Sequence, residues 1–419
     1  MAKQSSGSIL PADGPSKRFE ANQLFTPSAP IAVAEMFAGR QRQASRIIDA
    51  IGERGKHVIM YGERGVGKSS MAQMIPFFLP SKNQNVRHIR IQCFPGDNFS
   101  AIAKRVFSRM HFDADYGEGK RAYSVSEFYP GDVSIDDFLQ EVGQFKEYEI
   151  PVIVIDEFNE VDDEDTSITV SNLIKSLSDE ASNVTMVIVG VADSLLDLME
   201  RHESIERCTE QINMPRMSPD ERREVIEKRL SKLGMTILDD AKWTIINLSR
   251  GLPAYVHSLG KHAVYSAIEH LRTKVTVNDV NKAIEEVLTG LQETLKESFE
   301  LATRSNHAKA RFKPVLTACA LARCDDSGFF MPAAVCEPLA SITKKPVEIA
   351  DFTDMLTEFA DKRGQILERT GEARAYRFRF AKPAMQPYVL MRGIQAGLVG
   401  EDVRQTLSSP GQGDLFANG

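Results

Sequence analysis

His57-Val58-Ile59-Met60-Tyr61-Gly62-Glu63-Arg64-Gly65-Val66-Gly67-Lys68-Ser69 decides the fold. The short run 57–61 is mostly apolar and is stopped by Gly62, the pattern of a buried strand. Residues 62–69 match G-x-x-x-x-G-K-[ST], and a helix is expected to follow. In that context the glycines let successive backbone N–H groups turn inward around phosphates, and the helix N-terminus adds partial positive charge. The pattern points to a phosphate-binding loop of Gly62, Glu63, Arg64, Gly65, Val66, Gly67, Lys68, Ser69 and Ser70. Lys68 is expected to reach the β/γ-phosphates and the Ser69 hydroxyl to ligate Mg2+, so ATP and Mg2+ are the implied ligands.

Outward from this loop, 86–93, 150–155 and 184–189 are expected to be three more strands. Apolar spacing at 41–53 and 134–149 predicts helices. Strands alternating with helices imply an α/β fold with a parallel sheet covered on both faces. Polar, Gly-containing 112–132 is expected to be a loop or insertion on that sheet. The strand at 150–155 delivers Asp156 and Glu157 at its C-terminal end, where α/β folds place ligands. Asp156 is the expected Mg2+ carboxylate, and Glu157 the residue that orients and polarises the attacking water.

The 419 residues carry a net charge of −7, which argues against a chain that coats nucleic acid with its whole surface. No apolar run has the roughly 18 residues of a membrane span, and 1–14 has no continuous apolar core of a signal peptide. The five cysteines are scattered and odd in number, as expected of reduced thiols. A cytoplasmic protein without a membrane partner is expected.

Composition divides the chain further. Residues 1–30, rich in Ser, Pro, Ala and Gly, are expected to be a disordered arm. Residues 31–215 carry the nucleotide-binding pattern. From Met217 the pattern turns helical: Ser218-Pro219-Asp220-Glu221 is a helix start, and Thr276-Val277-Asn278-Asp279 another. These make 216–290 a small helical lid. In 291–405, helices at 313–322, 332–339 and 348–363 precede a hairpin of 365–368 and 375–380 around Thr370-Gly371-Glu372. Three helices and a β-hairpin describe a winged helix. Residues 406–419 are expected to be a disordered tail.

The phosphate loop, the acidic strand, the helical lid and the winged helix together resemble AAA+ ATPases of the origin-recognition/Cdc6 type and their STAND-like, NB-ARC-like relatives. The resemblance covers about 31–400. It implies a P-loop AAA+ sheet with a helical lid and a C-terminal winged-helix domain, acting as an ATPase. Phe37-Ala38-Gly39-Arg40 resembles the family's opening box near the adenine, which puts Arg40 beside the nucleotide. Gly190-Val191-Ala192-Asp193 lies where the family carries sensor 1. Asp193 departs from the usual Asn or Thr there. Ser204-Ile205-Glu206-Arg207 resembles the box that supplies an arginine finger to a neighbouring subunit, which implies an ATP-bound homo-oligomer; a surface arginine capping a helix end is the alternative. Gly251-Leu252-Pro253 looks like the G-L-P of STAND switches, whose proline, here Pro253, packs near the adenine. With no sensor 2 arginine in the usual place, slow hydrolysis and a long-lived bound state are implied.

Two functions fit. In the first, an assembly switch associates with duplex DNA when ATP-loaded. The third C-terminal helix presents Glu348, Asp351, Asp354, Glu358 and Asp361 outward, a face that phosphate repels. DNA contact therefore falls to the wing residues Arg369, Arg374, Arg377, Arg379 and Lys382; residues 362–382 hold seven basic and two acidic side chains. The same wing could instead dock onto the acidic 156–165 segment. In the second function, a signalling switch controls a protein partner without nucleic acid. Either way an effector protein acting in trans is expected.

Overall fold

The structure, a computed structural model, describes residues 9, 13–27, 38–79, 85–116, 119–191, 203–290, 293–305, 311–325, 327–372, 375–400 and 403–405. In chain order the elements are α1 (Gly14–Leu24), α2 (Gln41–Gly52), β1 (His57–Tyr61), α3 (Lys68–Phe78), β2 (Asn85–Gln92) and α4 (Phe99–Phe107). Next come β3 (His111–Tyr116), β4 (Gly119–Ser124), α5 (Ile135–Val142), β5 (Glu149–Asp156), α6 (Glu164–Asp179), β6 (Thr185–Gly190) and β7 (Thr209–Asn213). The helical part holds α7 (Pro219–Lys232), β8 (Thr236–Ile237), α8 (Asp239–Leu248), α9 (Pro253–Glu269), β9 (Lys274–Val275) and α10 (Val277–Gly290). The chain continues through α11 (Glu293–Thr303), α12 (Phe312–Leu321), α13 (Ala333–Thr343), α14 (Thr353–Asp361), β10 (Leu367–Thr370), β11 (Arg377–Phe380) and α15 (Met385–Gln395).

Five strands form one parallel sheet in the order β2-β5-β6-β1-β7. Side chains alternate between its faces, as a period of two requires. Val58, Met60, Val152, Val154, Val187 and Val189 join one apolar cluster with Ile47 of α2 and Met71 and Ile75 of α3. Ile59, Ile153, Ile155, Met186 and Ile188 join a second with residues of α4, α5 and α6. Both faces are covered, which is why these strands read as near-continuous apolar runs. The register pairs Tyr61 with Gly190 and Ile155 with Ile188, so Gly62 and Asp156 leave the sheet at the same edge.

Several expectations need correction. Part of the segment expected to be a mobile arm, 14–24, is helix α1 packed on α9. Pro15 starts it, Ala21 and the following Phe25 are buried, and Arg18 pairs with Glu269 at 2.9 Å. Phe25 sits against Gly260, where an added Cβ would lie 2.6 Å from its ring. Its apolar residues are few, and Pro and Ser around them masked the helical spacing. Segment 112–132, expected to be a loop or insertion, is an insertion that carries most of the antiparallel pair β3–β4 and a 3-10 turn at Val125–Phe128. Strand β7 carries only one branched apolar residue, Ile212, and gave no periodic signal. The helix expected over 348–363 starts at Thr353, after a 3-10 turn at Ile349–Asp351. Ile349 is exposed, whereas Phe352, Leu356 and Phe359 are buried.

Candidate nucleotide site

Gly62 ends β1 with φ of 154°, and a Cβ there would lie 2.4 Å from the Met214 carbonyl oxygen. Only glycine lets the loop leave the sheet past the chain that follows β7. Gly65 and Gly67 also take positive φ, 83° and 99°, and turn the loop into the N-terminus of α3. Lys68 is buried, and its Nζ donates to the carbonyls of Gly62 and Glu63 at 2.9 and 3.0 Å. Burial pushes its pKa down, while Glu157 and then Asp156 counter that effect.

A cleft of about 560 Å³ opens at this edge. Arg64, Gly65, Gly67, Lys68, Ser69 and Ser70 form its floor. Glu157 and Glu160 lie along one side, and Pro253, Ala254 and His257 of α9 along another. Pro253 is packed close to the loop, its Cγ 3.7 Å from where a Gly67 Cβ would be. The sequence pattern missed Thr26 and Pro27, which close the same wall. The Thr26 N–H donates to His257 Nδ1 at 3.0 Å, and burial pushes the His257 pKa down to about 3. Residues 92–95, the last residue of β2 and the three that follow it, also line the cleft; the rule that ligands gather at strand C-termini could have found them.

Asp156 is almost wholly buried and is gripped by Arg90 of β2, with Nη2 at 2.5 Å and Nε at 3.2 Å from Oδ2. Its Oδ1 accepts the Glu157 N–H at 3.0 Å. Glu157 has φ of 55°, a left-handed conformation that costs a non-glycine residue about 1–3 kcal/mol. That backbone turn carries Glu157 into the cleft while Asp156 stays below it. Arg90 was not legible as part of the site, because a strand arginine carries no motif. Glu160 pairs with Arg64 at 2.8 Å and accepts from the Asn159 amide, whose oxygen accepts the Val191 N–H at 3.2 Å.

Other expected residues fall elsewhere. Arg40, expected beside the adenine, does not line this cleft. It is buried on the far side of the loop, with Nη2 donating to the carbonyls of Val66 at 3.0 Å and Pro215 at 2.5 Å. Val66 is buried, and Glu63 turns away to meet Arg216, with Nε to Oε2 at 2.6 Å and Nη2 to Oε1 at 2.8 Å. Arg207 lies in a 3-10 turn and pairs on the surface with Asp179 of its own chain at 2.9 Å. Asp193, Phe37 and Arg374 lie outside the described residues.

In the hairpin, Phe378 and Phe380 are buried, Arg377 is exposed and Arg379 is half-buried, as the alternation requires. The arginines pair locally: Arg369 with Asp361, Arg377 with Asp325 and Arg379 with Glu368. Arg377 and Arg379 also lie over the Phe329 ring. None of these contacts involves the 156–165 segment. The C-terminal part instead meets the nucleotide loop through Arg216, which also donates to Gln386 of α15. Tyr255 of α9 donates to the Ala384 carbonyl at 2.7 Å, and Arg250 to that of Ala322 at 2.9 Å. Lys382 is exposed. Among the described residues no helix is long and apolar enough to cross a membrane.

Comparison with known proteins places this geometry. The sequence profile of Novel STAND NTPase 1 matches residues 30–313, more than half of the chain. An ORC1-type DNA replication protein of Thermoplasma volcanium is 25% identical over 270 residues, 60% of this chain and 62% of that protein. ORC1-type DNA replication protein 2 of Thermoplasma acidophilum is 24% identical over 356 residues, 78% of this chain and 80% of that protein. The fold is similar to that of the Aeropyrum pernix ORC2 protein, solved in ADPNP-ADP complexes. The TM-score is 0.50 at 15% identity, covering 90% of this chain and 98% of that one.

Proposed function

The chain belongs to the Novel STAND NTPase 1 family and is an ORC/Cdc6-like AAA+ nucleotide-binding ATPase, and from that premise we propose that it is a slow, ATP-controlled assembly switch that associates with duplex DNA. The observation that carries the proposal is the cleft in which Lys68, Ser69 and Glu157 converge beneath Pro253. Loop N–H groups and Lys68 bind the phosphates of ATP. The carbonyls of Gly62 and Glu63 hold the Lys68 ammonium until an anion takes over its donors. Ser69 and Asp156 supply the oxygen donors that suit a hard cation. Mg2+, when bound there, neutralises charge on the β- and γ-phosphates. Glu157 orients the attacking water. Pro253, His257 and Thr26 enclose the base end and exclude solvent. The cleft-facing positions of α9 are Pro253, Ala254 and His257, so this helix presents no arginine to the γ-phosphate, which supports slow turnover. ATP-driven assembly would set Arg207 against the next subunit's nucleotide, breaking its exposed pair with Asp179. Residues 31–215, 216–290 and 291–405 act as nucleotide domain, lid and winged helix.

DNA contact is assigned to the wing. Two of the relatives are named for DNA replication. The pairs made by Arg369, Arg377 and Arg379 are on or near the surface, and such pairs are worth about 0–1 kcal/mol, so phosphates can displace them at small cost. Duplex affinity measured at two salt concentrations, with and without ATP, tests this. Neutralising Arg369, Arg377 and Arg379 together should flatten the salt slope by about 0.9 per lost contact. Undetectable duplex binding at low salt with ATP present overturns the DNA assignment. The contact of Arg216 with both Glu63 and Gln386 favours a second reading, a signalling switch in which the C-terminal part clamps the nucleotide loop without nucleic acid. There the triple variant shows no DNA phenotype.

A further inference from the structure

Pro253 and His257 stand one turn apart at the start of α9, and both line the nucleotide cleft together with Thr26 and Pro27. The side chains of Pro27, Pro253 and Ala254 are apolar. His257 and the Thr26 hydroxyl are therefore the polar side-chain groups on this wall. His257 is only 3% exposed, so what its imidazole can offer a ligand depends on which ring nitrogen carries a proton.

The structure fixes that proton. A backbone N–H can only donate, so the contact from the Thr26 N–H at 3.0 Å makes His257 Nδ1 an acceptor. The ring hydrogen of the neutral imidazole must then sit on Nε2, which becomes a donor. Burial, then Arg229, push the His257 pKa down to about 3, so the ring stays neutral. The Nε2 donor is unused. Among the described residues no group accepts from it, while Nδ1 has Thr26 and the ring meets Phe25 edge-on with centroids 6.2 Å apart. Nor is Nε2 sealed in the core: among the described residues the one sealed side-chain nitrogen or oxygen without a partner is Nε2 of His57. The small accessible part of His257 is the part that lines the cleft.

We infer that His257 reads the base of the bound nucleotide, with its Nε2–H donating to an acceptor ring nitrogen of adenine. This rests on the reading of the cleft as a nucleotide site. Thr26 is the positioning residue: its backbone N–H holds the imidazole in one tautomer. A nearly buried donor with a single accepting partner discriminates strongly, because a base lacking that acceptor leaves the donor unpaired. Helix α1 thus contributes to ligand recognition, since it is what brings Thr26 onto α9.

Titration of the full chain with ADP and with its 1-deaza, 3-deaza and 7-deaza analogues, each replacing one ring nitrogen by C–H, tests the assignment. One analogue should bind the wild type about tenfold or more weakly than ADP, and the other two within about twofold of it. His257→Asn can keep an acceptor for the Thr26 N–H but has no donor at the place of Nε2, so the difference should vanish. His257→Gln, whose amide can set an N–H near that place, should restore part of it. Should the Asn variant not fold, His257→Phe takes its place with the same expected loss. Equal affinity of the wild type for all four ligands overturns this inference alone, as does a difference that persists undiminished in the folded Asn or Phe variant. Failure of ADP itself to bind overturns the nucleotide reading and this inference with it.

Discussion

Arg216 holds Glu63 through two parallel hydrogen bonds, 2.6 and 2.8 Å long, and so fastens the second residue of the phosphate loop to the strand of chain leading into α7. Both side chains are nearly buried, and the same guanidinium reaches Gln386. Arg216→Ala would leave Glu63 as an unpaired buried carboxylate, at a cost of about 3 kcal/mol. Hydrogen exchange should rise both at the phosphate loop and around 384–390. Protection unchanged at 384–390 would mean that the contact does not couple the two parts.

Arg90 and a divalent cation want the same carboxylate. Arg90→Gln should lower the Mg2+ concentration at half-maximal hydrolysis several-fold, since the competing charge at Asp156 Oδ2 is gone, and lower kcat, since Asp156 loses its orientation. An unchanged Mg2+ midpoint would leave Arg90 with a purely structural role.

Gly62→Ala places a methyl carbon against the Met214 carbonyl and forces a side chain into a backbone conformation it rarely takes. A loss of at least about 2 kcal/mol is expected in denaturant unfolding, together with weakened nucleotide binding. Wild-type stability would show that the β1 exit is not under this constraint.

The pH dependence has a definite sign. His57 is buried, its Nδ1 accepts the Met186 N–H at 3.1 Å, and burial pushes its pKa down to about 4. Below the ordinary value of about 6.5 the unfolded chain takes up a proton that the fold refuses. This contribution is therefore complete above about pH 6.5 and is lost as pH falls toward 4, up to about 3 kcal/mol. His257 acts in the same direction. An NMR titration should show His57 neutral down to about pH 5; a midpoint near 6.5 contradicts the assignment.

How much of this was legible follows from how each residue carries its signal. The strands on either side of the loop are buried on both faces, so β1, β5 and β6 announce themselves as apolar runs, and Gly62 to Ser69 is a local pattern with a local purpose. Thr26 and His257 are 231 residues apart and meet only because α1 packs on α9. Arg90 and Arg216 act through partners on other elements, and no spacing in the chain encodes those contacts. Arg40 is a different case: the resemblance implies a place near the adenine, and the packing that sets its guanidinium onto the Val66 and Pro215 carbonyls is not written in the motif. In the hairpin, the period of two sets the faces of Arg377 to Phe380, but no pattern points to the acidic partners that Asp325 and Glu368 provide.

Glu157→Gln tests the central claim most directly, because the amide keeps the shape and the left-handed turn but cannot polarise water as the carboxylate does. Phosphate release and ATP affinity should be measured on the same preparation. ATP affinity should stay within about twofold of wild type while hydrolysis falls by a factor of about 100 or more. Hydrolysis at the wild-type rate, with ATP bound, would contradict it.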